Sequence, residues 1–198
     1  MSDKETLSVY AREANRYAKQ FSPSQDTEHM RAFLAGLPQG ARLLDLGCGP
    51  GNAAAFMADC GYSVDAWDAS PEMVELARDR HGLETRIARF DDLTAIAEYD
   101  GVYANFSLLH APRSEMPAHL GRIATALKPG GRVHIGLKTG QGEKRDSLGR
   151  FYAYFEDHEL TALLEGAGFS IQYRRTGKDA GLDGTVAPWI ILQGLKND

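Results

Sequence analysis

Short apolar runs alternate with helical patterns over most of the chain, beginning at Ala41. The runs that predict strands are Arg42–Leu46, Tyr62–Trp67, Thr85–Ala88, Gly101–Phe106 and Arg132–Leu137. The segments that predict helices between them are Ala53–Cys60, Pro71–Arg80, Asp92–Tyr99 and Ser114–Leu127. Such alternation is typical of a parallel sheet with helices on both faces.

The pattern changes toward the carboxyl end. A predicted helix at Asp157–Gly166 is followed by two strand-like runs, Phe169–Arg175 and Ala187–Leu195, with the turn-rich stretch Gly177–Gly184 between them. Strands without a joining helix pair antiparallel. We therefore expect a mostly parallel α/β sheet with one reversed strand at or near its edge.

The amino-terminal part has a different periodicity. Residues from about Glu5 to Ala35 predict two helical stretches, broken at Ser22-Pro23-Ser24. At 198 residues the chain is expected to form a single domain, with an amino-terminal helical segment at 1–40 and an α/β core at 41–198.

Composition and charge narrow the classes of function. The hydrophobic fraction of 43% and the charged fraction of 25% are ordinary for a globular protein. The net charge of −5 and scattered basic residues argue against a nucleic-acid partner. No apolar run is long enough to cross a bilayer, so we expect no membrane partner. As a separate expectation, the chain is a monomer or a homodimer.

The amino terminus and the cysteines bear on compartment and metal content. The terminus lacks the apolar core of a signal peptide. Cys48 and Cys60 form neither a metal-ligand pattern nor a disulfide framework. We therefore expect a cytoplasmic protein without a metal site.

The strongest local signal is the glycine-rich segment 43–52, which follows a strand and precedes a helix. Its glycines permit a sharp turn and close approach of a ligand to the backbone. Gly47 and Gly49 match the first two positions of a dinucleotide fingerprint, but the third falls on Asn52, and no P-loop Gly-Lys-Ser/Thr follows. Pyrophosphate binding is thus disfavoured. The alternatives at this stage are another ligand or a tight turn without one.

A carboxylate at the end of the next strand makes a ligand the better interpretation. Asp68 lies roughly 20 residues after the first glycine, where an acidic side chain can accept hydrogen bonds from ribose hydroxyls. Asp65 lies within the strand and is expected to face solvent or a helix end. We therefore select Asp68.

Together these segments resemble the class I S-adenosylmethionine (SAM)-dependent methyltransferase family. The resemblance rests on Asp45-Leu46-Gly47-Cys48-Gly49-Pro50-Gly51, on Val64-Asp65-Ala66-Trp67-Asp68-Ala69-Ser70-Pro71-Glu72-Met73, on Tyr99-Asp100-Gly101-Val102, on Leu108-Leu109-His110 and on Leu127-Lys128-Pro129-Gly130-Gly131. The resemblance extends from Ala41 to the reversed final strand. Within the family, the chain resembles the broad group of small stand-alone bacterial enzymes that includes the tellurite-resistance and quinone-biosynthesis methyltransferases. The resemblance implies a Rossmann-like, doubly wound sheet of seven strands.

The resemblance also implies the cofactor, SAM (product S-adenosyl-L-homocysteine, SAH), and assigns residues to its parts. Asp45, Gly47, Gly49 and Asn52 would approach the amino-acid half, Asp68 the ribose, and Met73 the adenine. Ala69 is also assigned to the cofactor site. Phe90, Asp91 and Asp92 occupy the loop that holds the adenine amino group, with the choice between the two carboxylates left open. Asn105 and Phe106 would lie near the sulfonium. Of the aromatics Tyr10 and Tyr17 on the first helix, Tyr17 is chosen to cover the cofactor.

No catalytic residue is required by this chemistry, because the sulfonium is already electrophilic and orientation does most of the work. A base is needed only when the acceptor must lose a proton. His110 and Tyr152 are the candidates. For His110 the alternative is a structural hydrogen bond to the backbone.

The acceptor is expected to be a small molecule. The segment Asn105-Phe106-Ser107-Leu108 lacks the prolines of amino-methylating DNA enzymes. Residues 138–154 mix glycines, cations and aromatics, which predicts a loop that covers an anionic acceptor through Lys138, Arg145 or Arg150, with Tyr152 in the wall. A solvated connection is the alternative for this loop. For the whole chain, the alternatives are a non-catalytic SAM-binding protein and a nicotinamide-dependent oxidoreductase.

Overall fold

The computed structural model describes residues 3–21 and 27–197. Its helices are α1 (Lys4–Gln20), α2 (Glu28–Leu34), α3 (Asn52–Asp59), α4 (Pro71–His81), α5 (Met116–Ala126) and α6 (Asp157–Gly166). Its strands are β1 (Arg42–Leu46), β2 (Ser63–Asp68), β3 (Thr85–Ile87), β4 (Tyr99–Asn105), β5 (Leu127–Lys138), β6 (Glu143–Arg145), β7 (Phe151–Ala153), β8 (Phe169–Ala180) and β9 (Val186–Lys196). The predicted break at Ser22–Ser24 lies outside the described residues.

Seven of the strands form one sheet in the order β3-β2-β1-β4-β5-β9-β8. The pairs among β1 to β5 are parallel, and β9 runs antiparallel to both β5 and β8. The expected Rossmann-like sheet with one reversed strand near its edge is confirmed. The strand order changes direction between β1 and β4, and this switch point opens a crevice at the carboxyl ends of the strands.

The central strands are buried on both faces, which explains their continuous apolar runs. Val102 of β4 and Val133, Ile135 and Leu137 of β5 have no exposed surface. Apolar positions of α5 cover one face, where Leu120 is likewise fully buried. The packed core therefore fixes the carboxyl ends of these strands, which carry the polar residues that border the crevice.

Helix α4 begins and ends where local sequence signals predict. The Ser70 hydroxyl accepts a hydrogen bond from the Met73 amide, and Pro71 occupies the first turn. Gly82 ends the helix with a positive φ of 65°. These caps fix the helix immediately after Asp68.

The predicted helix Asp92–Tyr99 is wrong. Only a 3₁₀ turn forms, at Phe90–Asp92, and Tyr99 already begins β4. The amides of Ala97 and Glu98 donate to the carbonyls of Thr125 and Ala126 at the end of α5. Tertiary hydrogen bonds therefore satisfy this short backbone in place of helical ones.

Two segments have more strand than predicted. The expected loop at 138–154 contains the antiparallel hairpin β6–β7. Strands β8 and β9 extend into the predicted turn, so that only residues 181–185 separate them. Both hairpins project beyond the carboxyl edge of β5. No helix within the described ranges is both long and apolar enough to cross a bilayer.

Candidate active site

A cavity of about 630 Å³ opens at the carboxyl ends of β1, β2, β4 and β5. Helix α1 contributes Tyr10 and Tyr17 to its wall, and the β8–β9 turn contributes Leu182. The cavity lies at the switch point of the sheet, where ligands of open α/β folds bind.

The loop after β1 is held against β2 by its own amides. The N–H groups of Gly47 and Cys48 both donate to the Trp67 carbonyl, at 2.8 Å each. Gly47 has a φ of 82°, and a Cβ there would lie 2.3 Å from the Cβ of Ser107. The Ser107 hydroxyl donates to the Leu46 carbonyl at 2.6 Å. Only glycine fits this turn.

Asp68 anchors the same loop from the end of β2. Its carboxylate accepts hydrogen bonds from the Gly49 and Ser70 amides, both at 2.8 Å. Burial raises its pKa, and these amide hydrogen bonds oppose the rise. The backbone thus supports a carboxylate that faces the cavity.

Asp45 at the end of β1 is differently placed. It is only 3% exposed, and its Oδ2 has no hydrogen-bond partner within the described part of the chain. Burial, and then the charge of Asp68, raise its pKa to about 7. Two neighbouring carboxyls at one end of the cavity, one of them with an unpartnered oxygen, favour a cationic ligand.

Asn52 and Tyr17 join α1 to the glycine-rich loop. The Asn52 amide donates to the Phe21 carbonyl at 2.8 Å, just beyond the end of α1. Tyr17 packs edge-on against Tyr10 with ring centroids 5.4 Å apart. Asn52 and both tyrosines line the cavity.

The region predicted for adenine is apolar. Ala69, Met73, Ala88 and Phe90 line it. Met73 is 2% exposed, so it also belongs to the core beneath α4.

The structure does not bring Asp91 or Asp92 to the cavity wall. The Asp92 carboxylate accepts from the Arg89 amide at 2.8 Å and thereby caps the 3₁₀ turn. Asp91 points outward, with a 43% exposed side chain and its Oδ1 3.8 Å from Arg122. Successive residues of a 3₁₀ turn face different directions, so only Phe90 of the three reaches the cavity.

Asn105 and Phe106 end β4 in a constrained geometry. The side-chain oxygen Oδ1 of Asn105 accepts a hydrogen bond from Nε2 of the buried His134 at 3.0 Å. A Cβ at Gly136 would lie 2.4 Å from that oxygen. Phe106 has a positive φ of 55°, unusual for a residue with a side chain, and it meets the Trp189 ring edge-on.

At the opposite end of the cavity, His110 bridges two elements. Its Nδ1 is 2.6 Å from the Phe151 carbonyl, which can only accept, so Nδ1 carries the proton. Its Nε2 therefore accepts a hydrogen bond from the Tyr10 hydroxyl at 2.8 Å. Burial lowers the pKa of His110 to about 4, so the ring is neutral at pH 7.

Two predicted cations lie beside this pair. Arg150 is 2% exposed and forms an ion pair with Asp146 at 2.6 Å. The ammonium of the half-buried Lys138 lies 4.2 Å from the ring centroid of Tyr152. Lys138, Arg150 and Tyr152 all line the cavity.

The third predicted cation, Arg145, does not line the cavity. Its guanidinium pairs with Asp3 at 2.9 Å and with Glu5 at 3.2 Å. Its position on β6 directs it toward the start of α1, where the acidic first turn attracts it.

Sequence reasoning missed several residues of the site. Tyr10 was set aside in favour of Tyr17, although a seven-residue spacing places both on one face of α1. Tyr103, opposite Asp45 in the register of β1 and β4, presents a buried hydroxyl without a partner among the described residues. Trp189 and Asp146 belong to no local sequence motif, so the sequence contains no signal for them.

Part of the chain matches a known protein family. Residues 43–131 match a family model described as a methyltransferase domain. The ubiquinone biosynthesis O-methyltransferase of Xanthomonas axonopodis pv. citri is 38% identical over 106 residues, which cover 50% of this chain and 43% of that protein. The chain thus matches less than half of the length of this relative.

Solved structures share the fold over nearly the whole chain. The 1,6-didemethyltoxoflavin-N1-methyltransferase of Burkholderia thailandensis superposes with a TM-score of 0.78 at 23% identity, covering 98% of this chain and 88% of its own. TehB from Haemophilus influenzae gives 0.72 at 15% identity, covering 93% and 67%. Residues 43–131 of the chain thus match a methyltransferase domain, and the fold of the whole described chain is shared with solved SAM-dependent methyltransferases.

Proposed function

We propose that this protein binds SAM and transfers its methyl group to a small-molecule acceptor. The observation that carries the proposal is the pair of carboxyls, Asp45 and Asp68, that face one end of the cavity without a cationic partner among the described residues. SAM is a cation with an ammonium, a sulfonium and a ribose, and these are the groups that such carboxylates bind.

Asp45 fits the amino-acid half. Its unpartnered Oδ2 would accept a hydrogen bond from the ammonium, and the nearby positive charge would favour the ionised carboxyl. Gly47 and Gly49 line the same cavity and carry no side chain that would keep a ligand from their backbone. Asn52 holds α1 over this end through Phe21.

Asp68 fits the ribose. Two amides hold its carboxylate in place, and each oxygen retains accepting capacity for a hydroxyl. Ala69, Met73 and Phe90 would form the apolar walls for adenine, and Asn105 and Phe106 would lie near the sulfur. Asp91 and Asp92 would act on this site only through the turn they stabilise.

Helix α1 would serve as the cover of the site. The Arg16 guanidinium donates to the Leu182 carbonyl at 3.0 Å, and the Gln20 amide donates to the Gly181 carbonyl at 3.1 Å. These bonds join α1 to the β8–β9 turn across the cavity mouth. Excluding water strengthens the electrostatic interactions inside. We propose that residues 1–198 act as one domain with this cover.

Bound SAM would supply a methyl group on an electrophilic sulfonium. The protein's contribution is then to align the acceptor for in-line displacement, and such orientation is worth effective molarities of about 10⁵–10⁸ M. The half of the cavity lined by Lys138, Arg150 and Tyr152 would hold the acceptor. Its enclosure by α1 and the hairpin favours a small molecule.

Calorimetry with SAH tests the cofactor assignment. We expect binding by the parent protein, and about 100-fold weaker binding by Asp68→Ala, because the variant loses a charged hydrogen-bond acceptor and the anchor of the loop. Asp65→Asn is the matched control on the same strand, since Asp65 contacts Arg42 and Tyr99 away from the cavity. Equal affinities for Asp68→Ala and the parent would refute the assignment.

Turnover is a separate measurement. Incubation with methyl-labelled SAM and a panel of small acceptors should transfer label to at least one of them. Binding of SAH without transfer to any acceptor would instead support a non-catalytic SAM-binding protein.

A further inference from the structure

Lys138 is a cation in the cavity wall that forms no ion pair with the described residues. It ends β5 half-buried, and no acidic group of the described residues pairs with it. Its ammonium rests on the Tyr152 ring instead. Burial and the charge of Arg150 lower its pKa, while the field of Asp183 opposes them. A partly desolvated ammonium of this kind is stabilised by an anionic ligand.

Arg150, the other cation of this half, is already neutralised. Its Nε donates to Asp146 at 2.8 Å, and its Nη2 lies 2.6 Å from the same carboxylate oxygen. Its Nη1 donates to the Tyr10 hydroxyl at 3.3 Å. Of these two cations, Lys138 is therefore the one that forms no ion pair with the described residues.

The pair His110 and Tyr10 is poorly suited to remove a proton from the acceptor. The Nε2 lone pair of His110 is occupied by the Tyr10 hydroxyl. Burial and the charges of Arg150 and Lys138 all disfavour the imidazolium. Burial also raises the pKa of Tyr10, which keeps its hydroxyl protonated at neutral pH.

Among the described residues that face this half, no other titratable group is better placed to act as a base. The Asp179 carboxylate, which also lines the cavity, accepts a hydrogen bond from the Trp189 indole N–H. Burial raises the pKa values of Tyr17 and Tyr152. Asp146 is occupied by Arg150, and the Asp183 carboxylate accepts from Thr185. The acceptor must therefore bring its own nucleophilic electron pair.

The walls of this half are largely aromatic. Tyr152 packs against His110 at 4.8 Å between centroids, and Phe106 meets Trp189 at 6.4 Å. Rings of this size offer flat faces to a planar guest.

We propose that the acceptor is a small planar acid, such as an acidic phenol, enol or ring N–H compound, that binds and reacts as its conjugate base with its charge facing Lys138, while His110 positions Tyr10. This inference rests on the proposed function. The anionic lone pair forms the bond to the methyl carbon, and the electron pair of the broken carbon–sulfur bond stays on sulfur. No proton remains to be transferred.

A chromophoric probe tests the ionisation state directly. 4-Nitrophenol absorbs visible light only as its anion, and 4-nitroanisole is its uncharged methyl ether. With saturating SAH and at a pH below the probe's own pKa, we expect binding of 4-nitrophenol to raise the visible absorbance. We also expect the anion to bind about 10-fold more tightly than 4-nitroanisole. Absence of probe binding, or equal affinity for the two compounds, would overturn the inference.

Variants distinguish the role of Lys138, which faces the anionic charge, from that of His110, which positions Tyr10. Lys138→Met should abolish the absorbance change, whereas Lys138→Arg should retain it. Lys144→Met is the matched control, because Lys144 is exposed on β6 and lies over the Tyr154 ring outside the cavity. His110→Gln should leave the pH midpoint of the bound probe unchanged. If His110→Gln abolished the ionisation while Lys138→Met preserved it, His110 would be the base and the inference would be wrong.

The same preparations distinguish this inference from the proposed function. If SAH fails to bind, the proposed function fails. If SAH binds and the probe shows no preference for its anion, only the acceptor class fails.

Discussion

The two ends of the cavity are built on the same plan with opposite charges. At the end formed by β1 and β2, Asp68 is anchored by backbone amides and Asp45 retains an unpartnered oxygen. At the end formed by β5 and the β6–β7 hairpin, Arg150 is anchored by Asp146 and Lys138 has no counter-ion among the described residues.

The anchored charges, Asp68 and Arg150, are expected to stabilise the fold, whereas the unpaired charges, Asp45 and Lys138, are expected to bind ligands. An anchored charge is compensated within the protein, so its loss should affect folding as well as the site. A free buried charge destabilises the protein until a ligand of opposite sign arrives. The free charges, one at each end, therefore indicate where a cationic cofactor and an anionic acceptor would bind.

The largest expected effect is on an anchored charge. Arg150→Met would leave the Asp146 carboxylate buried without its cation, and we expect the free energy of unfolding to fall by about 3–5 kcal/mol. Urea denaturation measures this change. The double variant Arg150→Met/Asp146→Leu should recover much of the loss, because it removes both charges. A single variant as stable as the parent would show that the ion pair is not an anchor.

Substitution of the unpaired carboxyl of Asp45 should have the opposite effect on the free energy of unfolding. The folded-state pKa of Asp45, about 7, lies above the ordinary carboxyl value, so the stability it contributes is present at low pH and is lost as the pH rises through about 7. Asp45→Asn should therefore stabilise the ligand-free protein by about 1–3 kcal/mol above pH 7, with little effect near pH 4.

The same substitution should weaken SAH binding by about 10-fold or more, because the ammonium loses its carboxylate. In the parent protein, affinity should rise as the pH rises through about 7, since the cation binds the ionised form of Asp45. Thermal unfolding and calorimetry across this pH range measure both effects. A variant that is destabilised at high pH, or an affinity that is flat with pH, would contradict the assignment of Asp45 as a free charge.

The smallest effect is expected outside the cavity. Arg145→Ala removes an exposed cation from Asp3 and Glu5 and should leave the Tm and the affinity for SAH unchanged within experimental error. A loss of SAH affinity comparable to that of Asp45→Asn would mean that α1 depends on this surface pair.

Sequence reasoning located the elements whose structure follows from neighbouring residues. The glycine-rich loop, Asp68 and the cap of α4 are encoded within short segments, since turns and caps depend on local backbone chemistry. The family resemblance named Asp45 and Asn105 beside Asp68, and all three line the same cavity because the carboxyl ends of parallel strands meet at one edge of the sheet.

It failed where tertiary contacts compete with local preference. The segment after Asp92 has a helical pattern, but its amides at Ala97 and Glu98 bond to α5 instead. The directions of Asp91 and Arg145 depend on a 3₁₀ turn and on an acidic helix start that periodicity does not reveal.

The sequence alone determined the parallel strands β1 to β5 and the reversed tail strand, because these depend on periodicity and local turns. Only the tertiary structure decided which predicted cations reach the other end of the cavity, since Lys138 and Arg150 line it and Arg145 pairs with Asp3 instead. At that end Tyr10 meets His110 across 100 positions of the chain, and α1, β5 and the hairpin converge. Such pairings depend on how separate elements pack together, and no local pattern encodes that packing.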